Sequence, residues 1–284
     1  MIDIDNILGR SDYTASHFYQ DVSSNHLIKI CIAKSLYILK IYKSRKCFER
    51  ELNFMYLFNK HNCKVPKLVK FGSFGTELWI LYEYVRGISL NQIEGQLSKN
   101  TWKQIGRELR KIHSISVLDE TDMERKKSEF LNRIEKRFMS FNDNTIDNSL
   151  LLDAFLFLTN NFFHIKKSSF GIILYDFNER HIIVTQKKDK WIFEAFIDFE
   201  QTCFGSIYVD IAALYISTLL DNIEFEKGFW SGHGTSEFLF ENLCINFFII
   251  YFGLELSTVL RAVNTHHYHF GLSIIEKALI RISS

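Results

Sequence analysis

The sequence predicts an α+β chain of two unequal lobes: a small strand-rich one over residues 1–86 and a larger helix-rich one over residues 87–284. Two observations carry this expectation. β-Branched and aromatic runs recur between turn signals through the first 85 or so residues. After Gly87 the apolar spacing changes to the helical period. A length of 284 residues accommodates two such lobes around a crevice, the usual place for a ligand.

The elements follow in order. Residues 26–33 and 36–42 read as two strands around a Lys34-Ser35 turn. Residues 47–60 read as a helix, because Leu52, Met55 and Tyr56 recur at helical spacing, as do Phe54 and Phe58. Pro66 interrupts, and strands resume at 69–73 and 78–85. Thr101 and Gln104 fit a capping box that opens a helix with Ile105, Leu109 and Ile112 on one face. Residues 122–141 and 149–163 read as helices, 172–175, 181–185 and 191–198 as short strands, and 208–221 as a helix. The remainder reads mostly as helix, and Trp230-Ser231-Gly232-His233-Gly234 as a flexible connection.

Composition narrows the class. Apolar residues make up 47% and charged residues 24%, ordinary values for a folded chain. The 27 Phe, against a single Pro, are assigned mainly to the core. A net charge of +1 gives no global attraction to nucleic acid or an anionic membrane. Local basic runs, Arg125-Lys126-Lys127 and Arg133 with Lys136-Arg137, alternate with Glu124, Glu129 and Glu135 and read as a solvated helix face. The five cysteines form no C-x-x-C pair, so they indicate neither a zinc site nor a disulfide framework and suit a reducing cytoplasm. The N-terminus is acidic where a signal peptide would be basic, and the apolar stretch 243–256 is too short to span a bilayer. His266, His267 and His269 lack neighbouring carboxylates or thiols in sequence and read as a helix surface rather than a metal site.

Phosphoryl transfer needs a cation on the donor phosphates, metal held by carboxylates and a carboxylate facing the acceptor hydroxyl. The segment Leu174-Tyr175-Asp176-Phe177-Asn178-Glu179-Arg180-His181, followed by an apolar run and then Ile197-Asp198-Phe199-Glu200, offers such carboxylates. The pair resembles the catalytic and metal-binding motifs of the aminoglycoside and macrolide phosphotransferase and choline kinase family, which has a protein-kinase-like fold. The family's first motif reads roughly H-G-D-x-x-x-x-N; its second reads I-D-[WF]-E, then a Gly and a further Asp.

The resemblance implies Asp176 as the base that orients and deprotonates the acceptor hydroxyl, and Asp198 as a ligand of Mg2+ (or Mn2+). Gly205 and Asp210 match the later pair, Asp210 bracing the catalytic loop. Lys40, on a strand face shared with Ile38 and Tyr42, matches the phosphate-binding Lys, and Glu51 its helix partner. Ser23, Ser24 and Asn25 stand where the family has its phosphate loop, without the usual Gly. Glu83, Tyr84 and Val85 match the hinge whose backbone amides hold the nucleotide base. Val65-Pro66 and Ile112-His113 are further landmarks, and the match runs from about residue 20 to 215.

Three departures stand out. Leu174-Tyr175 replaces His-Gly, the phosphate loop lacks Gly, and His181 replaces the metal-binding Asn. His181 fits two roles: a metal ligand, as the His of macrolide phosphotransferases at that position implies, or a hydrogen-bond partner of Asp176 or its loop. The leading expectation is a kinase that transfers the γ-phosphate of ATP or GTP to a hydroxyl of an antibiotic, sugar or amino alcohol. His181 and the aromatic-rich C-terminal half favour a macrolide. The alternative is a pseudokinase that serves as a nucleotide-binding or protein-interaction module. No Ala-Pro-Glu-terminated activation segment follows Asp198, which disfavours a protein substrate.

Overall fold

The computed structural model describes residues 4–9, 12–20, 25–93, 97–116, 118–141, 148–219, 222–234, 238–258 and 265–283. The chain forms two compact units: Met1–Gln104 with Glu179–Thr202, and Ile105–Asn178 with Cys203–Ser284.

The first unit is built on a five-stranded antiparallel sheet of order β1-β2-β3-β5-β4. Its strands are β1 (Thr14–Gln20), β2 (His26–Ile32), β3 (Ser35–Tyr42), β4 (Leu68–Phe74) and β5 (Glu77–Glu83). A short helix, α1 (Ile4–Leu8), supplies Ile7 and Leu8 to a cluster with Ile28, Ile30, Leu39, Ile41, Trp79 and Leu81. Alternation sends Ile38, Lys40 and Tyr42 to the other face, where Tyr42 meets Phe48 of α2 (Arg45–Lys60) edge to face. The β2–β3 turn falls at Ala33-Lys34, one residue earlier than the sequence suggested, with φ 47° and 69° at its two central residues. Antiparallel strands with right-handed twist favour a two-residue turn of this hand, and here it is adopted without Gly.

Residues 179–202 add two strands to this unit. The small sheet β6-β8-β9 joins β6 (Ile88–Ser89), β8 (Ile182–Lys187) and β9 (Lys190–Phe196). Gly87 enters it at φ 146°, where a Cβ would lie 2.3 Å from the Val184 carbonyl oxygen. The helix expected to open at Thr101 begins earlier, as α3 (Lys99–His113). Ser98 accepts the Thr101 N–H, and the Thr101 hydroxyl instead donates to the Trp191 carbonyl at 2.6 Å. A Thr side chain that finds a buried tertiary acceptor gains more than one left capping a helix end.

Among the described residues the second unit is helical apart from an antiparallel pair, β7 (Phe170–Ile173) with β10 (Cys203–Ser206). Around it lie α4 (Glu120–Phe138), α5 (Ser149–Lys166), α6 (Tyr208–Leu214), α7 (Ile223–His233), α8 (Phe238–Thr258) and α9 (Thr265–Ser283). A π turn, Tyr215–Leu219, continues α6. Phe247, Phe248, Ile249 and Ile250 are all buried, so α8 is the apolar centre of this unit rather than a surface helix. Phe130, Phe138 and Phe162 pack around it, the core use expected for the Phe excess. Among the described residues no helix is long and apolar enough to cross a membrane.

Candidate active site

The first unit gathers one cation and three carboxylates. The Lys40 Nζ lies 2.8 Å from Glu51 Oε2, 3.1 Å from Asp198 Oδ1 and 2.6 Å from Glu200 Oε1. Three separate parts of the sequence meet here because each is fixed locally. β3 points Lys40 to the α2 face of the sheet. The Ser44 side chain caps the start of α2, and the helix turns Glu51 inwards. β9 ends just before Asp198, which adopts φ 67°, a left-handed backbone that L residues take at a cost.

Lys40 and Glu51 are nearly fully buried, whereas about a third of the Asp198 side chain (33%) is exposed. Burial opposes the Lys40 charge, but Glu51 and Asp198 more than offset it and hold its pKa well above the ordinary lysine value. Burial likewise opposes ionisation of Asp198, yet Lys40 and His181 outweigh it and lower that carboxyl's pKa. Glu51 goes the other way: burial raises it despite Lys40. Tyr42 donates its hydroxyl to Glu51 at 2.7 Å, and Arg50 donates to the Glu200 carbonyl at 2.9 Å.

Carboxylate oxygens of Glu51, Asp198 and Glu200 lie within 4.8 Å of one another, a spacing that suits one metal ion. Three carboxylates against one ammonium leave an excess of negative charge, and oxygen donors suit a hard divalent ion such as Mg2+. His181 Nε2 is 3.7 Å from Asp198 Oδ2, on the side away from Lys40. The donor set therefore fits the expected metal, with an imidazole beside it that would favour Mn2+.

The other sequence-derived positions are distributed as follows. Ser23 and Ser24 lie outside the described residues. Asn25 is buried; its Nδ2 donates to Glu200 Oε1, and its Oδ1 accepts the Lys43 N–H at 3.3 Å. Glu83 ends β5, and Tyr84 and Val85 follow it. The Glu83 and Tyr84 amides donate to the Lys67 and Leu36 carbonyls, and Val85 N–H makes no backbone hydrogen bond among the described residues. A strand that must pair on both sides uses these amides in its own sheet.

In the second unit, β7 runs straight into Leu174, Tyr175 and Asp176. Asp210, fully buried at the start of α6, accepts the Leu174 N–H at 2.7 Å and the Tyr175 N–H at 2.9 Å. Tyr175 takes φ 69°, and Asn178 Nδ2 donates to Asp176 Oδ1 at 3.3 Å. Gly205 is needed for packing: a Cβ there would meet Phe130 and Ile173 side chains at 2.6 Å.

A buried relay that the sequence did not reveal backs Asp210. His113 Nε2 is 3.1 Å from Asp210 Oδ2, and His113 Nδ1 is 3.2 Å from His233 Nε2. His233 belongs to the last turn of α7, not to a flexible loop, and Gly234 ends that helix at φ 83°. Burial, with the neighbouring His113 and Arg110, lowers the His233 pKa to about 3. Glu200 was also missed as a site residue, although it stood in the Ile197-Asp198-Phe199-Glu200 string.

Solved structures share this fold. Aminoglycoside 2'-phosphotransferase-IIIa in its GDP complex superposes with a TM-score of 0.70 at 16% identity, covering 97% of this chain and 95% of that one. Spectinomycin phosphotransferase, solved with ADP and spectinomycin, gives 0.67 at 14% identity and 97% and 96% coverage. Plasmodium vivax ethanolamine kinase gives 0.60 at 19% identity and 94% and 82% coverage. The fold is therefore protein-kinase-like. The model of the phosphotransferase enzyme family matches residues 32–239, and the chain belongs to that family. A Synechocystis serine/threonine-protein kinase D is 30% identical over 77 residues, which span 26% of this chain and only 15% of that protein.

Proposed function

We propose that the chain transfers the γ-phosphate of ATP or GTP to a hydroxyl of a small molecule. The observation that carries this reading is the buried Lys40 ammonium held by Glu51, Asp198 and Glu200. Such a cation, aligned by a buried carboxylate, is what donor phosphates require. The nucleotides bound in the related structures, ADP and GDP, support the same donor class.

In this reading residues 1–86 form the nucleotide-binding lobe and residues 87–284 the catalytic and acceptor-binding lobe. Lys40 binds the donor phosphates, Ser23, Ser24 and Asn25 contribute to their loop, and Val85 N–H meets the base. Asp198 and Glu200 hold Mg2+ or Mn2+, with His181 as the nitrogen donor or as an orienting neighbour of Asp198. When bound, the ion neutralises charge between the donor phosphates. Asp176 accepts the proton as the acceptor oxygen bonds to the γ-phosphorus. The bond from that phosphorus to the bridging oxygen breaks, leaving the nucleoside diphosphate and a phosphate ester. Asp210 fixes the backbone of this loop through Leu174 and Tyr175. Antibiotics, sugars and amino alcohols are the acceptor classes, and the site acts in the cytoplasm.

The test is transfer of label from γ-labelled ATP and GTP, with Mg2+ or Mn2+, to a hydroxylated small-molecule panel. Metal-dependent phosphate esters that vanish in Asp176→Asn are the expected result. Nucleotide binding with no transfer to any acceptor would replace this reading with a pseudokinase.

A further inference from the structure

We propose that the acceptor site takes a hydroxylated small molecule carrying an anionic group, a carboxylate or a phosphate, in place of a polycationic amino sugar. The inference rests on the phosphotransferase reading of Asp176. A pocket of about 590 Å³ within the second unit is lined by α4, by Tyr251 and Glu255 of α8, and by Tyr175, the residue before Asp176. Its volume is that of a small-molecule site.

The charge of its wall decides the ligand class. Arg133, Lys136 and Arg137 line it from one face of α4. Two carboxylates also line it, and both are already neutralised. Glu255 holds the Arg137 guanidinium at 2.7 and 3.1 Å, and Glu129 is paired with Arg125 at 2.8 Å and Lys126 at 3.0 Å. Among the described residues neither Arg133 nor Lys136 has a carboxylate partner.

Arg133 is nevertheless held in place. Its guanidinium lies 5.4 Å from the Phe130 ring centroid and 5.3 Å from that of Tyr175. One N–H of Arg133 reaches Cys203 Sγ at 4.0 Å, a weak acceptor, and a guanidinium stacked on aromatic faces keeps its other N–H groups for a planar carboxylate or a phosphate. Burial raises the pKa of the Tyr175 and Tyr251 hydroxyls, so both remain neutral hydrogen-bonding groups in the same wall. An ordinary solvated helix face would pair its charges along the helix, as Arg125, Lys126 and Glu129 do one turn earlier. At Arg133 and Lys136, within the pocket wall, that pairing is missing among the described residues. A cationic amino sugar would bring like charge to both.

Four probes on one scaffold test this: glucose 6-phosphate, glucuronate, glucose and glucosamine, with dissociation constants from calorimetry. Both anionic sugars, or one of them, should bind at least about tenfold tighter than glucose, with glucosamine weakest. The tighter of the two identifies a phosphate or a carboxylate as the ligand group. The double variant Arg133→Glu/Lys136→Glu changes only exposed side chains. It should lose that preference by about tenfold or more while its circular dichroism and urea midpoint stay near wild type. Glucosamine binding as tightly as the anionic sugars, no binding of either anionic sugar, or an unchanged preference in the double variant would each overturn the inference. Asp176→Asn should keep the anion preference and lose transfer. Retained transfer in that variant would instead defeat the reading of Asp176.

Discussion

Lowering the pH from 7.5 to 5.0 should destabilise the protein, and His233 makes a separable contribution to that loss. Its ring is buried in α7, with Nε2 on His113 and the Arg110 charge nearby, and its pKa falls from the ordinary 6.5 to about 3. Below pH 6.5 the unfolded chain takes up a proton at this position, while the native chain stays neutral until about pH 3. The unfolded state then binds more protons, so stability rises with pH across the interval 3 to 6.5 and is flat above it. At pH 5 the deficit from this group is about 2 kcal/mol, the free energy of protonating an ordinary imidazole 1.5 units below its pKa. Urea unfolding at both pH values, on wild type and His233→Phe, isolates the effect, because carboxylate titrations are common to both. The variant's loss of stability between pH 7.5 and 5.0 should be about 2 kcal/mol smaller than the wild type's. Equal losses in the two proteins would refute the buried neutral histidine.

Other outcomes follow from the same geometry. Asp176→Asn should lower kcat by about 10² to 10⁴-fold in steady-state transfer assays and leave nucleotide KM almost unchanged. Lys40→Met abandons three clustered carboxylates, and urea unfolding should show a loss of about 3–5 kcal/mol, with nucleotide affinity falling alongside. Asp210→Asn presents an amide NH2 toward the Leu174 or Tyr175 N–H, so kcat should drop about 10 to 100-fold with little change in nucleotide KM. Lys34→Gly removes a side chain from φ 69° and should raise stability by about 1 kcal/mol in the same unfolding assay.

The sequence made the site visible where local pattern and function coincide. Lys40 sits on a strand face, Glu51 on a helix turned towards it, and Asp198 in a short string after an apolar strand, and the two carboxylates come within 3.1 Å of the Lys40 ammonium. Asp210 was legible only through the family resemblance, and its carboxylate takes the Leu174 and Tyr175 amides just before Asp176. What escaped depended on partners distant in sequence. The His113–His233 contact joins residues 120 positions apart, and Trp230 to Gly234 look like a loop because Gly232 lies in a helix's last turn and Gly234 ends it. Thr101 looked like a cap because its tertiary acceptor, the Trp191 carbonyl, has no local signature. The Glu83 and Tyr84 amides looked open for the same reason, since which strand consumes an amide depends on sheet order rather than on the residue itself. The basic face of α4 read as solvated because sequence shows alternation of charge, not which carboxylates are already taken.

In the proposed reading Lys40, Asp198 and Glu200 hold a metal–nucleotide complex. Calorimetric titration of ATP and GTP, each with Mg2+ or Mn2+, into wild type and Asp198→Asn tests it most directly. Metal-dependent binding of at least one nucleotide to the wild type, and its loss in the variant, is the expected result. Binding of neither nucleotide with either metal, or binding unchanged in Asp198→Asn, would contradict it.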